Sequence, residues 1–173
     1  MSTKESPAQS RRWRICAEFA ALYIGLEAIY VAIPDESLLH GLNWILVTPT
    51  ASLLGHVHSA DDIHVIGNRL ISSRVDFSVV RGCDGSGFLF LLVAALLAFP
   101  SAWRLRLFSA LLAAGLTYGL NLIRLLVLYE VQRSHPQWFI PVHVYWAPGV
   151  LLAAGTLFFL AWIQRVYAIS FKS

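Results

Sequence analysis

Three reactive side chains, those of Cys83, Arg124 and His143, lie at or near the ends of hydrophobic segments of the sequence. Cys83 precedes the apolar run 88–99, Arg124 lies inside the run 107–129, and His143 opens the last run. A thiol can attack a carbonyl carbon when a base and a positive group assist it. If the segments bring the three residues to one side of a membrane, the sequence predicts cysteine protease or transpeptidase chemistry.

The composition is that of an integral membrane protein. Hydrophobic residues make up 57% of the 173 residues and charged residues 13%, against about 25% charged residues in a soluble domain. The basic residues that give the net charge of +3 cluster beside apolar runs, where they set topology in the lipid bilayer. We therefore predict a single membrane-embedded domain, 1–173, in contact with lipid and without a nucleic-acid partner.

Four apolar runs are long enough, or nearly long enough, to cross a bilayer. A helix of about 19 residues covers roughly 28 Å, close to the hydrocarbon thickness. The predicted fold is therefore all-α, with about four transmembrane helices, and the polar residues 1–10 are predicted to be a disordered cytoplasmic N-terminus. The runs are 15–33, 88–99 with extensions on both sides, 107–129 and 145–163.

A fifth apolar segment, 38–57, is interrupted by polar and helix-disfavouring residues. If it does not cross the membrane, the basic residues that follow the second and fourth runs are cytoplasmic, as the positive-inside rule requires. A full crossing would place the same residues outside. We therefore predict an interfacial or re-entrant helix on the outer face. The residues in question are Arg104, Arg106, Arg165 and Lys172.

The segment before Cys83 has the pattern of a small extracytoplasmic β-element. Gly67 and Asn68 form a turn signal between the short runs 62–66 and 69–73, which is typical of a hairpin. In 75–79 the apolar and polar residues alternate, as they do in a strand. We expect this element to lead directly into the thiol.

Cys83 lies on a short Gly-rich turn at the start of a helix, where the helix dipole stabilises an anion. A lone cysteine in such a place is more often a small buried hydrophobe. The neighbouring glycines leave room for another backbone to approach, and two polar side chains, predicted to bind or orient substrate, flank the turn. These neighbours are Gly82, Asp84, Gly85, Ser86 and Gly87.

The run 107–129 carries a polar stripe. Thr117, Asn121 and Arg124 have the spacing i, i+4, i+7 and therefore share one helix face. An Arg inside a span is costly and is commonly functional, so we predict a catalytic role for Arg124 and an orienting role for the other two. The alternatives are that Arg124 extends to the outer surface or pairs with Glu18 or Glu27 of the first span.

The histidines allow several interpretations. His143 alone would be an ordinary interfacial residue beside the aromatic residues that follow it. His56, His58 and His64 suggest a metal site, but no Cys or carboxylate cluster completes a ligand set. We therefore predict no metal and no cofactor.

Three short motifs occur in order, each at the outer end of a predicted span, and together they resemble the exosortase/archaeosortase family of membrane transpeptidases. The similarity covers about 75–165. The residue after the Cys is often Ser in this family and is Asp84 here. The motifs are Cys83-Asp84-Gly85, Asn121-Leu122-Ile123-Arg124 and His143.

The resemblance implies an activity and partners. Members cleave a carboxy-terminal sorting signal of exported proteins, made of a short motif, a transmembrane helix and a basic tail, as in the PEP-CTERM type. They transfer the new carboxyl end to an amine or hydroxyl acceptor. For this chain the resemblance implies a multi-pass protein of the bacterial inner membrane with its active site facing the periplasm, and Cys83, Arg124 and His143 as the catalytic residues.

Two other classes of protein remain open. One is a non-enzymatic membrane assembly factor that binds a partner helix through its polar groups. The other is a thiol-redox or metal-handling protein, which would need a second outer thiol or a complete ligand set. Cys16, the only other cysteine, is predicted near the inner face, so the second class is the weaker one.

The predicted topology can be tested with reporter fusions. A reporter fused after Arg106 should read cytoplasmic and one fused after Gln137 should read external, because only this arrangement leaves the basic flanks inside. The opposite pair of readings would mean that 38–57 crosses the membrane and that the predicted site faces inward.

Overall fold

The structure, a computed structural model, describes residues 7–58 and 61–170. It consists mainly of helices, with one small sheet between the third and fourth of them. The helices are α1 (Pro7–Ala32), α2 (Asp35–Leu42), α3 (Thr48–Val57), α4 (Ser86–Ala98), α5 (Trp103–Ser134), α6 (Phe139–Pro141) and α7 (Ala147–Ser170). The strands are β1 (His64–Ile66), β2 (Arg69–Ile71) and β3 (Asp76–Ser78).

Three helical stretches in the described residues are long and apolar enough to cross a membrane: Gln9–Ala32, Trp103–Ser134 and Pro136–Val166. Much of their apolar surface is not covered by the rest of the chain, as expected of helices that contact lipid. Helix α4 is apolar but has only 13 residues, or about 20 Å, against about 30 Å of hydrocarbon. Three spans are therefore supported, and the fourth stays a prediction.

Helix α1 begins earlier than the sequence suggested. It starts at Pro7, and proline is favoured at the first helical position because its missing N–H has no intrahelical partner there. Residues 7–10 are therefore helical, and the prediction of disorder is wrong for them. Residues 1–6 lie outside the described residues.

Two π-helical turns each end two residues before a proline. Asn43–Val47 precedes Pro49, and Val142–Trp146 precedes Pro148. Proline cannot donate to the carbonyl four residues earlier and its ring collides with it, so the widened turn keeps the helix continuous. The second of these turns carries His143, and π turns are frequent at functional sites.

The segment 38–57 is helical and is not among the long apolar stretches. One side of it packs into a core cluster together with the sheet and α5, while Trp44 and Ile45 on its other side are exposed. The segment is therefore helical as predicted, and its interfacial or re-entrant placement stays a prediction. Its core residues are Leu42, Leu46, Val47 and Leu54.

The predicted β-element is present as a three-stranded antiparallel sheet in the order β1-β2-β3. Gly67 has a φ of 60° in the turn between β1 and β2, a conformation that suits glycine. The side chain of Asn68 donates to the carbonyl of Val79 at 2.8 Å and so fastens the end of β3. The sheet is thereby joined to the segment that carries Cys83.

A polar network joins the carboxy-terminal end of α5 to the loop before the sheet. The hydroxyl of Tyr129 donates to Asp61 Oδ2 at 3.2 Å, and Arg133 Nε donates to the same oxygen at 2.7 Å. Burial raises the pKa of the Asp61 carboxyl, but these two hydrogen bonds and the charge of Arg133 outweigh it and hold the pKa below its usual value. The ionised carboxylate therefore fixes the loop on α5.

Helices α4 and α7 approach each other closely at Gly155. An added Cβ there would lie 2.1 Å from Cζ of Phe88, so Gly155→Ala must displace the ring. We expect a loss of about 1–3 kcal/mol in the free energy of unfolding, measured as a lower Tm of the purified protein in detergent.

Gly149→Ala is the matched control, since in the described residues no heavy atom beyond the neighbouring residues and the backbone of the same helix lies within 4 Å of a Cβ at that position. Both substitutions change helix propensity equally. Equal Tm values for the two variants would contradict the close packing of α4 on α7.

Candidate active site

The structure brings together the thiol and the imidazole that the sequence singled out. Cys83 Sγ lies 3.6 Å from His143 Nε2, although the two residues are 60 positions apart in the chain. The contact is close enough for proton transfer between sulfur and nitrogen. This pair is the centre of the candidate site.

The turn that carries Cys83 depends on glycine. Gly82 and Gly85 have φ values of 84° and 80°, in the left-handed region that side chains disfavour. A Cβ at Gly85 would in addition lie 3.3 Å from Cγ of Asn121. The Cys83 N–H donates to the carbonyl of Val80 at 2.9 Å, so the thiol stands on a tight turn immediately before α4.

The polar stripe of α5 binds this turn. Asn121 Nδ2 donates to the carbonyl of Asp84 at 2.9 Å, and Arg124 Nη1 donates to the carbonyl of Cys83 at 3.2 Å. Both side chains are buried, yet Arg124 Nε and Asn121 Oδ1 have no hydrogen-bond partner within the described residues. One donor and one acceptor therefore remain unused beside the thiol.

The structure does not support the other interpretations of Arg124. Its side chain is only 9% exposed, so it does not extend to the surface. Glu18 pairs with Arg14 at 3.3 Å, and Glu27 lies beside Gly87. Among the residues described, neither acid forms an ion pair with Arg124, whose Nη1 donates instead to the carbonyl of Cys83.

Asp84 and Ser86, predicted to contact substrate, bind within the protein. Asp84 Oδ2 accepts a hydrogen bond from the Tyr30 hydroxyl at 2.7 Å, and Asp84 Oδ1 accepts one from Ser86 at 3.0 Å. These bonds hold the turn against α1. Thr117 is buried one turn below Asn121, and its hydroxyl has no partner in the described part of the chain.

Arg81 and Tyr30 also belong to the site, although the sequence did not single them out. The Arg81 guanidinium donates to the carbonyls of Tyr30 and Ile33 at 2.5 and 2.7 Å, pairs with Asp35 at 2.8 Å and lies over the Tyr30 ring. It thus binds the carbonyl of Tyr30 in the last turn of α1, which also accepts from Ile33 N at 3.2 Å, and the carbonyl of Ile33 just after the helix. Two features of the sequence could have pointed to them: Arg81 lies two residues before Cys83, and Tyr30 lies near the end of the apolar run 15–33.

His143 is oriented by packing. Its ring stacks on Phe139 with centroids 5.6 Å apart and planes inclined by 4°. Nδ1 is buried and has no hydrogen-bond partner within 7–58 and 61–170. The nitrogen that faces the thiol is therefore set by the π turn and the aromatic stack, and no polar side chain in the described residues holds the other ring nitrogen.

Two cavities flank the turn. The first, of about 320 Å³, contains Cys83 and His143 and is named here the thiol cleft; its other walls come from 77–80, Leu125, Leu128 and Phe139. The second, of about 380 Å³, lies on the side of α1 and contains Glu27, Tyr30, Arg81 and Arg124. The thiol cleft gives a substrate access to the sulfur.

The three histidines that suggested a metal site do not meet. His56 contacts the carbonyl of Ser52, His58 pairs with Glu130, and His64 pairs with Asp62. No group of three or more His, Cys, Asp or Glu residues that could hold a metal ion occurs in the described parts of the chain.

Comparison with known proteins identifies the family. A family model described as transmembrane exosortase matches residues 17–162, a range that includes every residue of the site described above. No curated protein and no solved structure gives a significant match. Since the match covers most of the chain and its helices, glycine turn and polar stripe, the protein belongs to the transmembrane exosortase family.

Proposed function

We propose that this protein is a cysteine transpeptidase of the membrane surface that removes the carboxy-terminal sorting signal of exported proteins and transfers the new carboxyl end to an acceptor. The observation that carries the proposal is the 3.6 Å contact between Cys83 Sγ and His143 Nε2. The buried guanidinium of Arg124, bonded to the carbonyl of Cys83, supports it.

In the first step His143 takes the thiol proton and Cys83 attacks the scissile carbonyl carbon, forming a C–S bond. The tetrahedral intermediate collapses when the C–N bond breaks. His143 then gives its proton to the departing amine, which is the new amino end of the substrate helix. A thioester on Cys83 and a released helix remain.

Arg124 is suited to stabilise the oxyanion of this intermediate. Nη1 is fixed on the carbonyl of Cys83, and the guanidinium borders the cavity on the α1 side of the same turn, so a positive group is held next to the residue that carries the thiol. A single donor in such a position is worth about 10²–10³ in rate.

In the second step an acceptor amine or hydroxyl attacks the thioester. His143 accepts its proton, the C–S bond breaks, and the proton returns to the Cys83 thiolate, which restores the enzyme. Water in place of the acceptor would give hydrolysis. The thiol cleft is open to either nucleophile, and the proposed activity includes both outcomes.

The location of the site supports this class of substrate. Cys83 precedes a short apolar helix and lies beside helices long enough to span a membrane. A sorting signal places its cleavable motif just outside a transmembrane helix. With the basic flanks in the cytoplasm, the proposed site faces the periplasm from the bacterial inner membrane.

The nucleophile is tested by substitution. Cys83→Ala should leave sorting-signal proteins uncleaved, with helix and basic tail attached, and His143→Ala should behave alike because a thiol in water is mostly protonated at neutral pH. Mass spectrometry of the carboxy termini measures this. Cys16 lies about 21 Å along α1 from Tyr30, the residue that bonds the turn of Cys83 through Asp84. Cys16→Ala is therefore the control and should process normally.

Normal processing by Cys83→Ala would remove the transpeptidase assignment and favour the alternative, a membrane assembly factor that binds a partner helix. A membrane-impermeant maleimide provides an independent readout, because it should label Cys83 in cells whose outer membrane has been made permeable and should not label the Cys83→Ala protein.

Arg124→Lys tests the guanidinium. Lys keeps the charge but lacks the planar fork of donors, so the variant should insert normally and process substrate about 10²–10³ times more slowly. The matched control is Arg106→Lys, since Arg106 donates to the carbonyls of Leu97 and Ser101 at the far end of α4. Loss of expression in Arg124→Lys, with Arg106→Lys intact, would indicate a purely structural role.

A further inference from the structure

Strand β3 lies at the edge of the sheet. Its neighbour on one side is β2, and in residues 7–58 and 61–170 the strand order β1-β2-β3 leaves its other side without a strand. An open strand edge presents unpaired N–H and C=O groups and is a template for pairing with another extended chain. The groups that face this edge of β3 therefore decide whether an extended chain can bind there.

The register shows which backbone groups point outward. The carbonyl of Val75 accepts from Ser72 N at 2.8 Å, and Val79 N donates to Asn68 O at 2.9 Å. Because hydrogen-bonded and non-hydrogen-bonded pairs alternate in an antiparallel ladder, the backbone groups of Asp76 and Ser78 point away from β2.

The two outward positions differ in their surroundings. The carbonyl of Asp76 accepts a hydrogen bond from Gln132 Nε2 at 3.2 Å, so α5 covers that end of the edge. Ser78 lines the thiol cleft together with Cys83 and His143. The open part of the edge thus leads directly to the nucleophile.

The chemistry of the cleft indicates its occupant. The remaining side chains that line it are mostly apolar, and among the described residues His143 is the only ionisable group there besides the thiol. A peptide that enters this cleft with its carbonyl at Cys83 has Ser78 on one wall beside it. The substrate residues after the scissile bond lead into a transmembrane helix, whose backbone groups bond to one another. The substrate residues before the bond are therefore the ones that can bind in an extended conformation.

We propose that the substrate segment before the scissile bond binds as an added strand on the edge of β3 and exchanges backbone hydrogen bonds with Ser78. This inference rests on the proposed transpeptidase function. Main-chain pairing supplies affinity in such a complex, while the pocket selects alternate side chains. The cleft then selects an uncharged side chain near the cleavage point.

The test is Ser78→Pro. Proline removes the outward N–H, and the ladder to β2 survives because Ser78 N–H does not belong to it. Since one backbone hydrogen bond is worth about 1 kcal/mol, kcat/KM for sorting-signal processing should fall by about fivefold to tenfold, mainly through KM. Asp76→Pro, at the equivalent outward position beyond the cleft, is the control and should process at the wild-type rate.

Maleimide labelling of Cys83 at the wild-type rate in Ser78→Pro shows that the site is intact. Wild-type processing by Ser78→Pro overturns the inference, as does an equal loss in Ser78→Ala, which would assign the effect to the hydroxyl. A changed oligomeric state with normal processing overturns it too, because the edge would then pair with a second copy. Failure of the proposed function is recognised separately, by processing in Cys83→Ala.

A crosslinking measurement keeps the inference testable if Ser78→Pro does not fold. In a Ser78→Cys, Cys83→Ala background, single cysteines are placed at successive positions before the cleavage point of a sorting-signal protein. Strand pairing predicts disulfides at every second position, because side chains alternate along a strand and only Cα atoms closer than about 7 Å can be bridged. Crosslinking without this alternation, or none at all, overturns the proposal.

Discussion

The hydrogen bonds from the buried stripe of α5 to the glycine turn are the constraint on which the rest of the site depends. A non-helical turn has carbonyls that no helical N–H satisfies, and each one that is buried without a partner costs about 1–3 kcal/mol. Asn121 and Arg124 bind the carbonyls of Asp84 and Cys83, so the turn and the buried polar residues stabilise each other. The thiol is fixed as a consequence.

The lengths of the helices decide the depth of the site. Helix α4 has 13 residues whereas α5 has 32, so the turn at the start of α4 meets α5 at Arg124, roughly 15 Å before α5 ends. The sheet and α3 pack around that remaining part of α5. Cys83 therefore lies well before the end of α5, and it lines the thiol cleft next to β3.

Local patterns in the sequence predicted several elements well. The hairpin around Gly67 and the strand 75–79 followed from turn residues and alternation, and the polar stripe of α5 followed from helical spacing. The end of α5 was misjudged, because its last turns carry Glu130, Gln132 and Arg133, which look like the start of a loop. Those side chains instead bind His58, Asp76 and Asp61, partners that lie far away in the sequence.

The sequence by itself determined the class of protein, the apolar helices, the sheet and the three reactive residue types, because composition and periodicity are local properties of the chain. Only the tertiary structure decided that Cys83 and His143 touch, that Asp84 binds Tyr30, and that Arg81 closes the end of α1. These contacts join residues about fifty or more positions apart. Their geometry follows from how α1, α5 and the π turn before Pro148 pack around the short helix α4, which spacing along the chain does not encode.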